Sequence, residues 1–347
     1  MVTKYIKITP PVFTGLDEAA DALKNGRLVA FPTETVYGLG ANALDENAVK
    51  EIFIAKGRPS DNPLIVHIAD ISTLNLLVTA IRPEAEKLMH AFWPGPLTLV
   101  FEKSTNVPRI TTGGLNTVAI RMPDHPIALE LIKKAGVPVA APSANRSGKP
   151  SPTLAEHVLE DMDGRIPYII DAGPCRVGVE STVLDVTEDT PVILRPGGVT
   201  LDMIAGVIGR VKQYKAEVST EMINSPKSPG MKYVHYAPKG EVIVVSGKKK
   251  VSEWINEKIS EDEKNSIKTV VVATDENIEN YSAGIKMSYG SIKSPQEAAA
   301  NIFRIFRDCD RLGAEKIYIE AIPEYGIGYA VMNRIKKAAG GKVVYLE

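Results

Sequence analysis

The sequence predicts a two-domain α/β protein, and three observations carry that expectation. Short apolar runs of strand length recur through the 347 residues, separated by stretches of helical period. Up to about residue 210 strands and helices do not alternate one for one, which favours a mixed, twisted sheet with flanking helices over a doubly wound parallel one. After residue 238 they alternate regularly, the pattern of a small Rossmann-like parallel α/β domain. The expected division is a first domain at 1–210, a linker at 211–238 and a C-terminal domain at 239–347.

Taken in order, RLVAFP (27–32) reads as a buried strand, NAVKEIFIAK (47–56) as a helix and LIVHI (64–68) as a strand. The helix RPEAEKLMHAFW (82–93) stops before Pro94. LTLVFE (97–102) and TVAIRMP (117–123) are strands around a turn at Gly113-Gly114, and IALELIKKAG (127–136) is a helix ending on glycine. VPVAAP (137–142), YIIDAG (168–173), STVLDV (181–186) and PVILRPG (191–197) add short strands. In the C-terminal domain, strands at 241–247, 269–274, 316–321 and 342–347 enclose helical patterns at 250–260, 295–312 and 328–339. In the middle helix Ile302, Phe303, Ile305, Phe306, Cys309 and Leu312 form one apolar stripe, expected to be core. No GxGxxG follows the first of these strands, so no dinucleotide is expected there.

Composition narrows the function. Hydrophobic content of 44% and charged content of 24% fit a soluble globular protein. No apolar run reaches the roughly 20 residues that span a bilayer, and MVTKYIKITPPVF lacks the apolar core of a signal peptide. Cys175 and Cys309 fall in different domains, which argues against a disulfide framework or cysteine metal site and for a reducing, cytoplasmic setting. Residues 1–210 hold 20 Lys+Arg against 24 Asp+Glu; residues 211–347 hold 21 against 18. Neither half is a polycation, so any contact with RNA would use a local patch.

Four stretches carry candidate chemistry. In KGRPSDNPLIVHI (56–68), Lys56 and Arg58 lie at a helix end on a loop stiffened by Pro59 and Pro63. Helix ends favour cations, but that preference does not explain the prolines; a rigid pair of cations suits a polyphosphate or carboxylate. His67, in an otherwise apolar strand, is either a satisfied core residue or part of that site. FPTETVYGLGAN (31–42) offers hydroxyls and backbone N–H groups after a strand, either to a small polar ligand or to a local turn. APSANRSGKPSPT (141–153) has the composition of a phosphate or ribose cradle without P-loop spacing, and also of an ordinary surface loop. GVESTVLDV…ILRPGG (178–198) brings Ser181, Thr182 and Arg195. Arg121, inside an apolar strand, has to be paired or bind an anion. HExxH, CxxC and GxSxG are all missing, and with them any nucleophile–histidine–acid pattern.

KGRPSDNPLIVH, PTETVYGL (32–39), APSAN (141–145) and VESTV (179–183), with SPGMKYVHYAP (228–238), together resemble the YrdC-like family, in the long two-domain form of its threonylcarbamoyl-adenylate synthases. The Lys-x-Arg and Ser-x-Asn signatures stand here as Lys56-Gly57-Arg58 and Ser143-Ala144-Asn145. The resemblance implies a YrdC-like fold with a central cleft. It also implies synthesis of L-threonylcarbamoyl-adenylate from L-threonine, bicarbonate and ATP with release of pyrophosphate, Mg²⁺ accompanying the ATP. A separate transferase would pass the product to tRNA. Carried over by position, Thr35, His67, Arg121, Ala141 and Ser181 would line the threonine end. Lys56, Arg58, Asn62, Thr117, Ser143, Asn145, Ser151 and Arg195 would hold the nucleotide, with Lys56 and Arg58 stabilising charge on the reacting phosphates. No residue is expected to bind a metal.

Proteins of this fold have been proposed to bind double-stranded RNA, and a module without adenylating activity is the alternative reading. A carbamoyl-transfer maturation domain is disfavoured, because the zinc-finger and acylphosphatase-like segments that accompany it are missing. Within the linker, Pro229 and Pro238 restrict the chain and lower the cost of ordering it. Lys232, His235 and Tyr236 read as lid residues able to reach phosphate or base; the competing reading is a strap packed on the domain surface.

Overall fold

The computed structural model describes residues 1–214, 236–247 and 250–347. The chain forms two compact units, Met1–Ser147 with Ser151–Tyr233, and Gly148–Pro150 with Val234–Glu347.

The first unit contains β1 (Lys4–Lys7), α1 (Leu16–Lys24), β2 (Val29–Phe31), β3 (Gly38–Asn42), α2 (Glu46–Lys56), β4 (Ile65–His67), α3 (Leu74–Leu77), α4 (Pro83–Phe92), β5 (Leu97–Glu102) and β6 (Thr117–Arg121). It continues through α5 (Pro126–Ala135), β7 (Val139–Ala140), α6 (Ala155–Met162), β8 (Tyr168–Asp171), β9 (Thr182–Asp185), β10 (Val192–Arg195), α7 (Leu201–Ile208) and β11 (Lys212–Gln213). The strands form one sheet in the order β1-β8-β2-β3-β7-β4-β6-β5-β9-β10-β11. Parallel neighbours such as β4/β6 and β5/β9 are interleaved with antiparallel ones such as β2/β3, β7/β4 and β6/β5, so the sheet is mixed as expected.

Successive strand residues alternate between two cores. Ala30, Ala140 and Ile169 face the cluster formed with α2, α4 and α6; Phe31, Val139 and Ile170 face the one formed with α1 and α5. α2 starts where Asp45 accepts from the N–H groups of Asn47 and Ala48, and it ends at Gly57 in the left-handed region (φ 61°). Three features depart from the sequence reading. β3 contains two glycines and reads poorly as a strand, yet packing demands them: a Cβ on Gly40 would lie 2.8 Å from both the Phe31 ring and Val139. α1 buries Leu16, Ala19, Ala20 and Leu23, a helical face built largely of alanine. Residues 212–213, expected in the linker, form β11 and extend the sheet beside β10.

In the second unit β12 (Glu241–Gly247), β13 (Thr269–Ala273), β14 (Lys286–Ser288), β15 (Lys316–Glu320) and β16 (Val343–Leu346) form a wholly parallel sheet, ordered β14-β13-β15-β12-β16. Its helices are α8 (Val251–Lys264), α9 (Pro295–Leu312) and α10 (Ile327–Ala338). The expected stripe on α9 is buried from Ile302 to Cys309, whereas Leu312, in the last turn before the Gly313 cap, is 39% exposed.

Candidate active site

The PTET stretch is the turn of the β2–β3 hairpin. Thr33 Oγ1 accepts from the N–H groups of Thr35 and Val36 (both 3.2 Å) and donates to the Val36 carbonyl (2.6 Å). The hydroxyl-bonded turn thus forms, and it fixes Thr35. The Thr35 hydroxyl lies 2.9 Å from Thr33 Oγ1 and accepts from Arg121 Nη1 at 2.8 Å. Arg121 ends β6 and is 3% exposed. Its Nε donates to the Gly95 carbonyl (3.2 Å), and its Nη2 is 2.6 Å from Glu34 Oε2, in an ion pair buried on both sides. His67 is the register partner of Arg121 across β4/β6. Burial, then the Arg121 charge, lower its pKa to about 3, so the ring is neutral at physiological pH. Its Nδ1 donates to the Ile65 carbonyl at 3.2 Å. Ala141 is held alongside by its N–H to the same carbonyl (2.9 Å).

β7 runs antiparallel to β4, so the chain after Ala141 travels back towards the start of β4. There Lys56 Nζ donates to the carbonyls of Ser143 (2.5 Å) and Asn145 (2.6 Å), and the Ser147 N–H returns to the Lys56 carbonyl (2.9 Å). The Lys-Gly-Arg and Ser-Ala-Asn motifs are thus tied together by one buried lysine nitrogen. Burial, then the neighbouring Arg58, push the Lys56 pKa well below the ordinary lysine value; Asp161 opposes them. Arg58 Nη2 reaches the Asn62 carbonyl at 3.5 Å. The Asn62 side chain is fully buried, and neither Oδ1 nor Nδ2 has a hydrogen-bond partner.

The remaining expected residues divide unevenly. Arg195 donates through Nε and Nη2 to the Ser181 carbonyl (3.1 and 3.0 Å) and through Nη2 to Ser181 Oγ (3.2 Å). Gly197 allows this approach, since a Cβ there would meet the Thr182 nitrogen at 2.2 Å. Ser181 Oγ also lies 2.7 Å from Thr98 Oγ1. Arg195, expected with the nucleotide, is thus held by Ser181, expected at the threonine end. Ser151 donates to Glu180 Oε1 at 2.5 Å. Thr117 begins β6 whereas Arg121 ends it, a separation of roughly 13 Å at about 3.3 Å per residue. Among the expected lid residues, Lys232 and His235 lie outside the described residues. Tyr236 is 6% exposed, with its ring centroid 5.2 Å from that of Phe303 and 5.8 Å from the Arg334 guanidinium carbon. This is packing within the second unit.

Glu34, Thr33, Thr98 and Glu180 join the site without having been singled out from the sequence. Glu34 lies inside the PTETVYGL motif, where one buried acid beside a buried arginine was the available signal. Among the described residues no group of three or more His, Cys, Asp or Glu could hold a metal ion.

Residues 21–197 match the Sua5/YciO/YrdC family model, described as telomere recombination, and residues 199–340 match a model described as the threonylcarbamoyl-AMP synthase C-terminal domain. The chain is 53% identical over 327 residues to threonylcarbamoyl-AMP synthase of Pyrococcus abyssi, covering 94% of each protein. It is 48% identical over 345 residues to that of Bacillus subtilis, covering 98% of each. The solved structure of P. abyssi Sua5 complexed with L-threonine matches with a TM-score of 0.94 and 50% identity, over 99% of this chain and 100% of that one. On two family models and near-full-length identity, the chain belongs to the Sua5/YrdC family in its two-domain form.

Proposed function

We propose that this protein makes L-threonylcarbamoyl-adenylate from L-threonine, bicarbonate or CO2 and ATP, releasing pyrophosphate. The carrying observation is the 53% identity, over 94% of both chains, to a protein of that activity. The L-threonine bound in the P. abyssi structure supports the same reading. The threonine amine and CO2 form a carbamate, whose oxygen attacks the α-phosphorus as pyrophosphate departs. The substrate supplies the nucleophile, so the protein has to position an in-line attack and balance charge.

In this reading Arg121 receives the threonine carboxylate, its guanidinium already oriented by Glu34, Thr35 and Gly95, while Ala141, Ser181 and neutral His67 complete that end. Lys56, held by the Ser143 and Asn145 carbonyls, meets the phosphates together with Arg58, and the phosphate charge favours its ammonium form. The Asn62 amide receives a polar group of the nucleotide, with Thr117 and Ser151 bordering it, and Arg195, held by Ser181, meets the nucleotide where it adjoins the threonine. Magnesium enters as the ATP complex, as substrate, to an end whose named side chains are cationic or neutral. The product is a water-labile mixed anhydride, which a separate transferase has to consume at tRNA. We place the reaction in the cytoplasm, where two free, buried cysteines are at home. The double-stranded RNA reading finds no support in the comparisons or in the acidic balance of residues 1–210. Pyrophosphate release from MgATP is expected only with both threonine and bicarbonate present; no release under those conditions overturns the proposal.

A further inference from the structure

One face of the first unit's sheet carries an apolar floor of Ile65, Val100, Ala119, Val183 and Leu194. Side chains two residues apart on a strand share a face. His67, Thr98, Arg121 and Ser181, each two residues from Ile65, Val100, Ala119 and Val183, therefore lie on the same face as the floor. β4 runs parallel to β6, β5 antiparallel to β6, and β9 parallel to β5. The ends of β4 and β6 thus meet the starts of β5 and β9, and the four side chains border the floor along one edge. Arg195, the register partner of Val183 at the end of β10, joins them. The proposed function gives a task to each of these residues except Thr98.

Thr98 is fully buried and Ser181 is 1% exposed. Among the described residues the sole hydrogen-bond partner of Thr98 Oγ1 is Ser181 Oγ, 2.7 Å away. Ser181 Oγ also accepts from Arg195 Nη2 at 3.2 Å. A hydroxyl has one hydrogen to give and two lone pairs to receive. Only one of the pair's two hydrogens can lie between the oxygens, and the guanidinium, a donor, accepts neither. One buried hydroxyl hydrogen is therefore left without an acceptor among the described residues, a rare condition in a folded protein. Charge decides which one a ligand would take. Arg195 is bound to the hydroxyl and carbonyl of Ser181, so an anion drawn to that charge lies beside Ser181. In the arrangement that satisfies every group, Thr98 donates to Ser181 Oγ, Arg195 fills the second lone pair, and the Ser181 hydrogen goes to the anion.

We propose that Thr98 is a positioning residue, whose donation to Ser181 Oγ turns the Ser181 hydrogen towards a carboxylate oxygen of bound L-threonine. The assignment rests on the reading that threonine occupies this end of the site. Thr98 itself touches no substrate; it acts by fixing a hydroxyl that would otherwise rotate, and by strengthening the bond that this hydroxyl donates.

The test is calorimetric titration of the full-length protein with L-threonine. Thr98→Val keeps the shape and the β-branch and removes the hydroxyl. It is expected to weaken L-threonine about fivefold, with binding of a non-hydrolysable ATP analogue unchanged. Thr98→Ser restores the donor and is expected within about twofold of wild type. In a Ser181→Ala background the hydrogen to be oriented is gone, so adding Thr98→Val is expected to change threonine affinity by less than about twofold. Undiminished threonine binding in Thr98→Val, failure of Thr98→Ser to restore it, or an equal loss in the Ser181→Ala background overturns the assignment while leaving the proposed function standing. A wild-type protein that binds no L-threonine overturns both.

Discussion

At the His67 end of the candidate site, Arg121 has protein partners for Nε, Nη1 and Nη2, whereas at the opposite end Asn62 buries an amide with neither oxygen nor nitrogen paired. Both groups are withdrawn from water, but the cost is met differently. Burying an unpaired guanidinium is prohibitive, so Glu34, Thr35 and Gly95 surround it before any substrate arrives. An orphaned neutral amide costs about 1–3 kcal/mol, small enough for the fold to carry until a ligand pairs it. One end therefore holds a preformed field, and the other holds a vacancy in its hydrogen bonding. Glu34 Oε1 is buried without a hydrogen-bond partner, while Glu34 Oε2 and Arg121 Nη2 meet each other in the ion pair.

The largest expected effect breaks the preformed end. Arg121→Ala strands Glu34 as an uncompensated buried charge and should cost about 3–5 kcal/mol in urea unfolding. Glu34→Leu/Arg121→Met removes both charges and should recover most of that loss, because an apolar pair is no worse buried than an ion pair. Losses that simply add would show that the pair is not the source of the cost.

His67 sharpens the same comparison through pH. Its folded-state pKa of about 3 lies below the ordinary value of 6.5. Its contribution to stability is therefore complete above pH 6.5 and is lost as pH falls from there towards 3, since the unfolded chain takes up a proton that the folded chain refuses. Unfolding free energy measured from pH 6 to pH 4 should fall more steeply in wild type than in His67→Gln, by about 1.4 kcal/mol per pH unit. Equal slopes would mean that the ring is protonated in the folded protein.

What the sequence disclosed follows from how local each determinant is. Runs such as LTLVFE and TVVVAT and the α9 stripe declare themselves, because period and residue type act within one element. β3 does not, since the need for Gly40 comes from Phe31 and Val139 on neighbouring strands. Leu312 was misplaced because a helical stripe does not tell where the partner surface stops. In the site, Lys56 and Arg58 stood out in the sequence as cations on a loop stiffened by Pro59 and Pro63. That Lys56 would bond the backbone at Ser143 and Asn145 was not legible, because β4 and β7 have to pair before those carbonyls reach it. Arg121 was legible as needing a partner, yet the partner, Glu34, is delivered by a hairpin that the glycines concealed.

The smallest effect in free energy is the most discriminating. Asn62→Ala deletes two unpaired polar atoms from a buried position. Most buried truncations destabilise, but here the lost packing is offset by relief of the stranded amide. Stability is therefore expected to stay within about 1 kcal/mol of wild type. Nucleotide binding should nevertheless weaken about tenfold, because the alanine enzyme has nothing to pair with the ligand. Calorimetric titration with a non-hydrolysable ATP analogue, set beside urea unfolding of the same variant, separates the two terms. A structural asparagine would lose stability and keep its affinity; a ligand-completing one keeps its stability and loses affinity. Asn62→Asp extends the comparison, since a carboxylate at that position faces the phosphates directly and should weaken binding further than alanine does. Binding tighter in Asn62→Asp than in Asn62→Ala would place the nucleotide's anionic groups elsewhere and end the assignment of Asn62 to them.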